Sequence, residues 1–271
     1  MHEGVFTGGA AYREFGTGDP LVVFRTVLPD SANPSGAARW AEVRSLKALA
    51  ARFTVLVVGR RPGLEPGVTM AELAAHHAEE LRERFDGPVD VLGVSTAGCL
   101  AQQFAADHPG LVRRLVVGAA GSRLGPDGRR IQHAYADLLA AGRYRAAAAA
   151  LAPGIADARA GRALLAGVLR ATAARPADPR GMVALLRAED AFAIEDRLDE
   201  ITAPTLVIAG TRDAFYPPEL AGRVAEGVRD GRLKLYEGRR HHTVMTDRRF
   251  SRDVIAFLGP RGVPSEVDND G

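Results

Sequence analysis

Short apolar runs alternate with amphipathic segments along most of the chain. The apolar runs have the length of buried strands and are Leu21–Phe24, Phe53–Val58, Val89–Val94, Leu111–Val117, Thr205–Gly210 and Leu233–Tyr236. The segments between them carry apolar residues three and four positions apart, as one face of a helix does, and are Ala37–Ala51, Thr69–Phe85, Thr96–Asp107, Pro218–Val228 and Asp247–Leu258. This alternation predicts an α/β fold with a mostly parallel, doubly wound sheet that helices cover on both faces.

Two parts of the chain depart from this alternation. The opening "GVFTGGAAYREFGTGDP" predicts an antiparallel hairpin at one edge of the sheet, with Gly8–Gly9 at the turn. Residues 125–202 are rich in Ala, Leu and Arg, are helical in pattern and contain no strand-like run. We interpret them as a helical cap, or lid, inserted into an α/β core of residues 1–124 and 203–258. Residues 259–271 show no periodicity and predict a disordered tail.

Composition narrows the class of protein. The 35 basic and 33 acidic residues nearly balance, and no long run of like charge occurs, so a nucleic-acid partner is not expected. The N-terminus shows no apolar stretch of the length of a signal peptide core, and the run Ala146–Ala150 is too short to span a membrane. Cys99 is the only cysteine, which excludes an internal disulfide and predicts a small buried side chain. We expect a cytoplasmic protein without a membrane partner, either a monomer or a homodimer.

One serine stands where a predicted strand turns into a predicted helix, in "VDVLGVSTAGC". Ser95 has small residues, Gly93 and Ala97, two positions to either side. Such a tight turn lifts the hydroxyl clear of the sheet and places it at the positive end of a helix, as a nucleophile elbow does. The alternative is that Ser95 only caps the helix and that the small residues only allow close packing.

Candidates for an acid and a base follow later strands. Asp213 comes directly after Thr205–Gly210, and His241 and His242 follow Leu233–Tyr236. Because the carboxyl ends of parallel strands lie at one edge of a sheet, these side chains could meet the serine hydroxyl. Asp213 could instead serve only an Asx turn, and His242 could be the base in place of His241. No pattern indicates a metal or another cofactor, so none is expected.

The chain resembles the α/β-hydrolase superfamily, in particular its small, single-cap esterase and haloperoxidase-like branch. The resemblance spans roughly residues 5–258 and is carried by "LGVSTAGCLAQQFAADHP", "PTLVIAGTRDAFYPPEL" and "YEGRRHHTVMTDRRF". It implies that Ser95 is the nucleophile, His241 the base and Asp213 the acid of a catalytic triad. It also implies an oxyanion hole formed by the main-chain N–H groups of Thr96 and Val27.

The chain departs from that family beside the predicted site. The family usually shows His-Gly before the loop donor, whereas Arg25 and Thr26 precede Val27 here. Arg60 lies in the loop where the family commonly has Asp and then Arg-Gly, and Arg240 replaces a glycine before the histidine. Arg25 and Arg60 could face a carboxylate or an oxyanion, although solvent or a salt bridge to a nearby acid is the more ordinary fate of an arginine.

The resemblance implies a serine hydrolase that cleaves an ester, lactone or thioester of a small to medium apolar molecule through an acyl-enzyme. Candidate pocket residues are Arg25, Thr26, Leu138, Leu165, Leu186, Phe192, Phe215 and His242. Leucines in a helical stripe are more often plain core packing. The alternatives are a cyclase, a lyase or a C–C bond-cleaving enzyme on the same fold, and a ligand-binding protein without catalysis.

Overall fold

Eight strands form a single sheet in a computed structural model that describes residues 1–156 and 158–259. The strands are β1 (His2–Val5), β2 (Ala11–Gly16), β3 (Asp19–Phe24), β4 (Phe53–Val58), β5 (Val89–Val94), β6 (Val112–Gly118), β7 (Thr205–Gly210) and β8 (Gly231–Tyr236). Their order is β1-β2-β4-β3-β5-β6-β7-β8. β1 and β2 pair as an edge hairpin, β2 runs antiparallel to β4, and the remaining pairs are parallel. The predicted fold class is confirmed.

Helices connect the strands as the spacing of apolar residues predicts. The helices are α1 (Gly36–Ala50), α2 (Met70–Arg84), α3 (Thr96–Asp107), α4 (Pro126–Ala140), α5 (Tyr144–Ala150), α6 (Ala152–Ile155), α7 (Arg159–Thr172), α8 (Pro179–Ala191), α9 (Pro218–Gly227), α10 (His241–Val244) and α11 (Arg248–Leu258). Short 3₁₀ turns lie at Pro109–Leu111 and Glu195–Glu200. Within the described ranges, no helix combines the length and the apolarity needed to cross a membrane.

Both faces of the sheet are covered, and alternate residues of β3 show how. Val22 and Phe24 point into a buried cluster that includes α2, α3 and α9, whereas Leu21 and Val23 point into a cluster with α1 and α11. This alternation follows from the two-residue period of a strand. The central strands are therefore apolar on both sides, which fixes their carboxyl ends at one edge of a rigid sheet.

Residues 125–202 enter between β6 and β7 and contribute the helices α4 to α8. α4, α5 and α8 share a small apolar core of Ala136, Leu139, Ala147, Met182 and Leu186. α8 also sends Leu185 and Ala188 into the main core beside the sheet. α7 has no buried residue, and its Leu164 and Val168 are 73% and 50% exposed. The helices of this segment thus pack mainly on each other, and α8 also packs against α3 of the core. The residues 260–271 of the predicted tail lie outside the described residues.

Candidate active site

The turn after β5 has the strained geometry that its small residues predict. Ser95 has a φ of 58° and a ψ of −131°, in the left-handed region that L-residues rarely adopt. A Cβ atom at Gly93 would lie 2.0 Å from the Ala97 carbonyl oxygen, so only glycine fits there. Ser95 occupies the position before α3, but its side chain makes no capping hydrogen bond to the helix. The hydroxyl is therefore free to point elsewhere.

A chain of hydrogen bonds joins the three residues that the sequence singles out. Ser95 Oγ lies 2.9 Å from His241 Nε2, and His241 Nδ1 lies 2.8 Å from Asp213 Oδ2. The other carboxylate oxygen of Asp213 accepts the N–H groups of Phe215 (2.8 Å) and Tyr216 (3.0 Å). Asp213 therefore forms an Asx turn and orients the imidazole at once, so its two predicted roles are compatible. An Nδ1–H tautomer leaves Nε2 as the acceptor of the serine proton.

His241 and its neighbour His242 differ in position. His241 is the first residue of α10 and points inward, and its ring centroid lies 4.8 Å from that of Phe215. His242 is exposed. Partial desolvation and the charges of His241 and Arg240 lower the pKa of His242. The geometry thus brings His241, rather than His242, to the serine, with Phe215 as a wall of the site.

The loop after β3 is held by buried ion pairs. The Arg25 guanidinium donates to Glu42 Oε2 (2.7 Å) and to Asn33 Oδ1 (3.0 Å), and its side chain is 5% exposed. Glu42 also pairs with Arg13, whose side chain is fully buried. The charge of Arg25 is therefore already matched by a carboxylate of the protein. Its partner lies 17 residues away on α1.

Arg60 ties the same loop to the helical segment 125–202. Its guanidinium donates to the carbonyl oxygens of Leu28 (3.0 Å) and Asp30 (3.2 Å) and forms an ion pair with Asp178 at 3.0 Å. Asp178 in turn caps α8 through its side chain, which accepts the N–H of Gly181. The expectation for Arg60 was solvent exposure or a salt bridge to a nearby acid such as Asp30. The structure instead pairs it with Asp178, which is 118 residues away, while Asp30 accepts through its main-chain carbonyl.

The two predicted oxyanion donors are Thr96, in the turn after β5, and Val27, in the loop after β3. Thr96 opens α3, so its main-chain N–H has no intrahelical acceptor. Val27 is half-buried after β3, and Thr26 beside it is exposed. The roles of these N–H groups in an oxyanion hole remain a prediction.

The candidate pocket residues of the segment 125–202 occupy three environments. Leu186 and Phe192 are each 4% exposed and pack within apolar clusters. Leu138 packs against the core shared by α4, α5 and α8. Leu165 is half-buried on α7. Burial of Leu186 and Phe192 agrees with the core-packing alternative for leucine stripes.

An apolar cavity of about 370 Å³ lies between α1 and the sheet. Val23, Val57 and Leu92 form its floor. Arg25 and Thr26 line it together with Val94, the residue before the serine, and Met245 lines it from the end of α10. The cavity thus reaches the residue that precedes Ser95, but its lining does not include Ser95, Asp213 or His241. Across the described parts of the chain, no group of three or more His, Cys, Asp or Glu side chains is arranged to hold a metal ion.

A buried carboxylate beside the elbow was missed by sequence reasoning. Glu189 of α8 is 1% exposed and accepts hydrogen bonds from the hydroxyls of Thr96 (2.8 Å) and Tyr216 (2.5 Å). Its position seven residues after Met182 and four after Leu185 places it on the apolar face of the helix. An acidic residue on an apolar face is the signal that could have found it.

A serine at a strained turn after a central parallel strand, hydrogen-bonded to a histidine and an aspartate from later strand ends, defines an α/β hydrolase. The chain belongs to the serine aminopeptidase S33 family, whose model matches residues 69–248. It is therefore an enzyme of the α/β-hydrolase fold.

Three relatives illustrate this membership. A Variovorax paradoxus protein named a carbamate hydrolase, RutD, is 32% identical over 76% of this chain and 79% of its own length. The pimeloyl-[acyl-carrier protein] methyl ester esterase of Neisseria meningitidis is 29% identical over 66% of this chain and 71% of its own. The crystal structure of an enol-lactonase from Burkholderia xenovorans matches with a TM-score of 0.73 and 21% identity, over 95% of this chain and 99% of that one. The last likeness shows the fold.

Proposed function

We propose that the protein is a serine hydrolase that cleaves an ester, lactone or thioester of a small to medium apolar molecule through an acyl-enzyme on Ser95. The unbroken chain of hydrogen bonds from Ser95 through His241 to Asp213 carries this proposal. A serine hydroxyl becomes a useful nucleophile only when a base accepts its proton and a further group orients that base. The three side chains have the distances that both steps require.

The proposed reaction has two halves. Ser95 Oγ attacks the carbonyl carbon while its proton moves to His241 Nε2, and the carbonyl oxygen becomes an oxyanion that the N–H groups of Thr96 and Val27 stabilise. The C–O or C–S bond to the leaving group then breaks, and the imidazolium returns its proton to that group. Water attacks the acyl-enzyme by the same route and releases Ser95. Asp213 stays ionised and stabilises the imidazolium throughout.

The surroundings of the serine support an apolar substrate. The cavity of about 370 Å³ is lined mainly by apolar side chains, among them Val94, the residue before Ser95. Phe215 adds an aromatic wall next to His241. Two relatives are named a methyl ester esterase and a carbamate hydrolase, which supports an ester-like bond as the target. We further propose that residues 125–202 act as a cap over this site.

Labelling with a fluorophosphonate tests the proposal directly. We expect stoichiometric labelling of Ser95, hydrolysis of p-nitrophenyl acetate and faster hydrolysis of p-nitrophenyl butyrate, because the longer acyl group fills more apolar space. Ser95→Ala is the control and should remove both labelling and turnover. Labelling without turnover would contradict hydrolysis and favour a cyclase, lyase or C–C bond-cleaving enzyme, whereas a wild-type protein that resists labelling would contradict a nucleophilic serine.

A further inference from the structure

We propose that Glu189 is a positioning residue, whose carboxylate ties the elbow of Ser95 to the loop of Asp213 by accepting hydrogen bonds from Thr96 and Tyr216. This inference rests on the proposed function. Glu189 lies on α8 and acts through Thr96 and Tyr216 rather than through a hydrogen bond to Ser95, His241 or Asp213.

The carboxylate of Glu189 has one partner on each of two loops. Oε2 accepts the hydroxyl of Thr96 at 2.8 Å, and Oε1 accepts the hydroxyl of Tyr216 at 2.5 Å. All three side chains are buried. Charge-assisted hydrogen bonds from hydroxyls to a carboxylate are short and strong, so this pair fixes both donors.

Each partner stands next to a group of the proposed mechanism. Thr96 follows Ser95 directly and carries the N–H that we assign to the oxyanion hole. Tyr216 donates its N–H to Asp213 at 3.0 Å, and its ring stacks near the ring of His241 with centroids 5.8 Å apart. A shift of Glu189 would therefore move the oxyanion donor relative to the imidazole. Misplacement by about 1 Å can cost a hundredfold in rate.

A carboxylate is an unusual residue at this place. Glu189 lies on the apolar face of α8, where burial raises its pKa, while hydrogen bonds from Tyr216, Thr96 and Gln132 and the charge of His241 lower it. Removing this carboxylate would leave the hydroxyls of Thr96 and Tyr216 buried without their acceptor, which costs stability. Because both hydroxyls stand beside groups of the proposed mechanism, the hydrogen bonds serve the site as well as the fold.

The test compares three variants with a matched control. Glu189→Leu fills the space but cannot accept hydrogen bonds, whereas Glu189→Gln keeps the shape and can still bond both hydroxyls. Thr96→Val removes one of the two donors without changing volume. Asp190→Asn, the next residue of the same helix, removes an ion pair with His133 at the surface and is the control.

The measured quantities are the fluorophosphonate labelling rate, kcat and KM for a p-nitrophenyl ester, and the melting temperature. For Glu189→Leu we expect labelling and kcat to fall about 10- to 100-fold, with KM within about threefold and a lower melting temperature, because two buried hydroxyls lose an acceptor. Glu189→Gln should recover most of this loss, and Asp190→Asn should behave as the wild type. Adding Thr96→Val to Glu189→Leu should cost less than the sum of the two single effects, because both break one contact.

Two results would overturn the inference. One is a Glu189→Leu variant that labels and turns over like the wild type, and the other is a Glu189→Gln variant that loses as much as Glu189→Leu. A wild-type protein that neither labels nor turns over would instead overturn the proposed function itself, which is read from the wild type alone.

Discussion

The loops after β5 and β3 stand side by side at the carboxyl edge of the sheet but are held in opposite ways. Steric fit shapes the β5 loop: Gly93 leaves room for the Ala97 carbonyl, and Ser95 adopts a positive φ. Ion pairs shape the β3 loop, through Arg25 with Glu42 and Arg60 with Asp178, which caps α8. The nucleophile is thus placed by short-range backbone geometry, whereas the predicted oxyanion donor on the other loop depends on contacts that are distant in sequence.

This difference predicts which kind of substitution destabilises each loop. A steric frame fails when an atom is added, and it does not respond to pH or salt. An ionic frame fails when one charge is removed, because its buried partner is then left without compensation. The four experiments below separate the two frames, and their expected effects decrease from the first to the last.

Removing the hydroxyl should stop the chemistry but leave the steric frame intact. We expect Ser95→Ala to lower kcat for a p-nitrophenyl ester by at least about ten-thousand-fold. Its melting temperature should equal that of the wild type, because the Ser95 side chain does not cap α3. Residual turnover of more than about one per cent, at a matched melting temperature, would mean that another group supplies the nucleophile.

Adding one methyl group inside the elbow should break the frame itself. At Gly93 the new Cβ would meet the Ala97 oxygen at 2.0 Å, which no side-chain rotation relieves. We expect Gly93→Ala to lower the free energy of unfolding by about 3 kcal/mol or more and to abolish labelling. Gly222→Ala in α9 is the control, because nothing lies within 4 Å of its Cβ, and it should stabilise slightly. Equal effects of the two changes would refute a steric frame.

Neutralising Glu42 should break the ionic frame. Because it removes the carboxylate that pairs with buried Arg25 and one of the two that pair with buried Arg13, we expect Glu42→Leu to lower the free energy of unfolding by about 3 kcal/mol. The double change with Arg25→Met should recover part of this loss, as a coupled pair requires. Glu79→Gln removes an exposed ion pair with Arg61 and should cost less than about 1 kcal/mol. Denaturant unfolding of these variants measures each value.

Acid should weaken the ionic contacts around the histidine loop and spare the elbow. Asp247 follows α10, and hydrogen bonds from Arg249 and its main chain, then from Arg239, hold its pKa well below the usual range. A depressed folded-state pKa adds stability above the unfolded value of about 4, and this stability is lost as the pH falls further. We expect Asp247→Asn to cost about 1 kcal/mol or less at pH 7, since both arginines are partly exposed.

Urea unfolding of Asp247→Asn and of the wild type between pH 7 and pH 2 measures this effect. The two curves of stability against pH should converge toward the acid end. A difference between the two proteins that stays constant over the whole range would show that the carboxylate charge contributes nothing.

Most strand and helix bounds could be predicted to within two residues, because they follow from apolar spacing and local signals. The Thr69–Glu72 box before α2 is one such signal, and both of its hydrogen bonds form. In α1, Trp40 stands three residues before Val43 and six before Leu46, a spacing that predicts one apolar face, yet Trp40 is 64% exposed. The buried apolar residues of that helix, Leu46 and Leu49, lie in its second half.

The meeting of Ser95, Asp213 and His241 could be predicted because each follows a parallel strand, and the topology then brings strand ends together. The ion-pair partners of Arg25 and Arg60 could not be predicted, because a pair between elements distant in sequence leaves no local pattern. Glu189 escaped notice for the opposite reason. Glu189 stands at the spacing of the apolar face of α8, and a single acidic residue in such a pattern does not by itself indicate a buried hydrogen-bond acceptor.

The rate at which the single cysteine, Cys99, is alkylated reports unfolding of the protein. Cys99 is fully buried on α3, its sulfur lies 3.2 Å from the Tyr216 hydroxyl, and burial raises the pKa of its thiol well above the usual value. A thiol that is protonated and shielded cannot attack an alkylating reagent. Modification of the native enzyme must therefore await an opening that exposes the centre of the fold. A second cysteine placed on the surface could carry a spectroscopic probe without removal of the first.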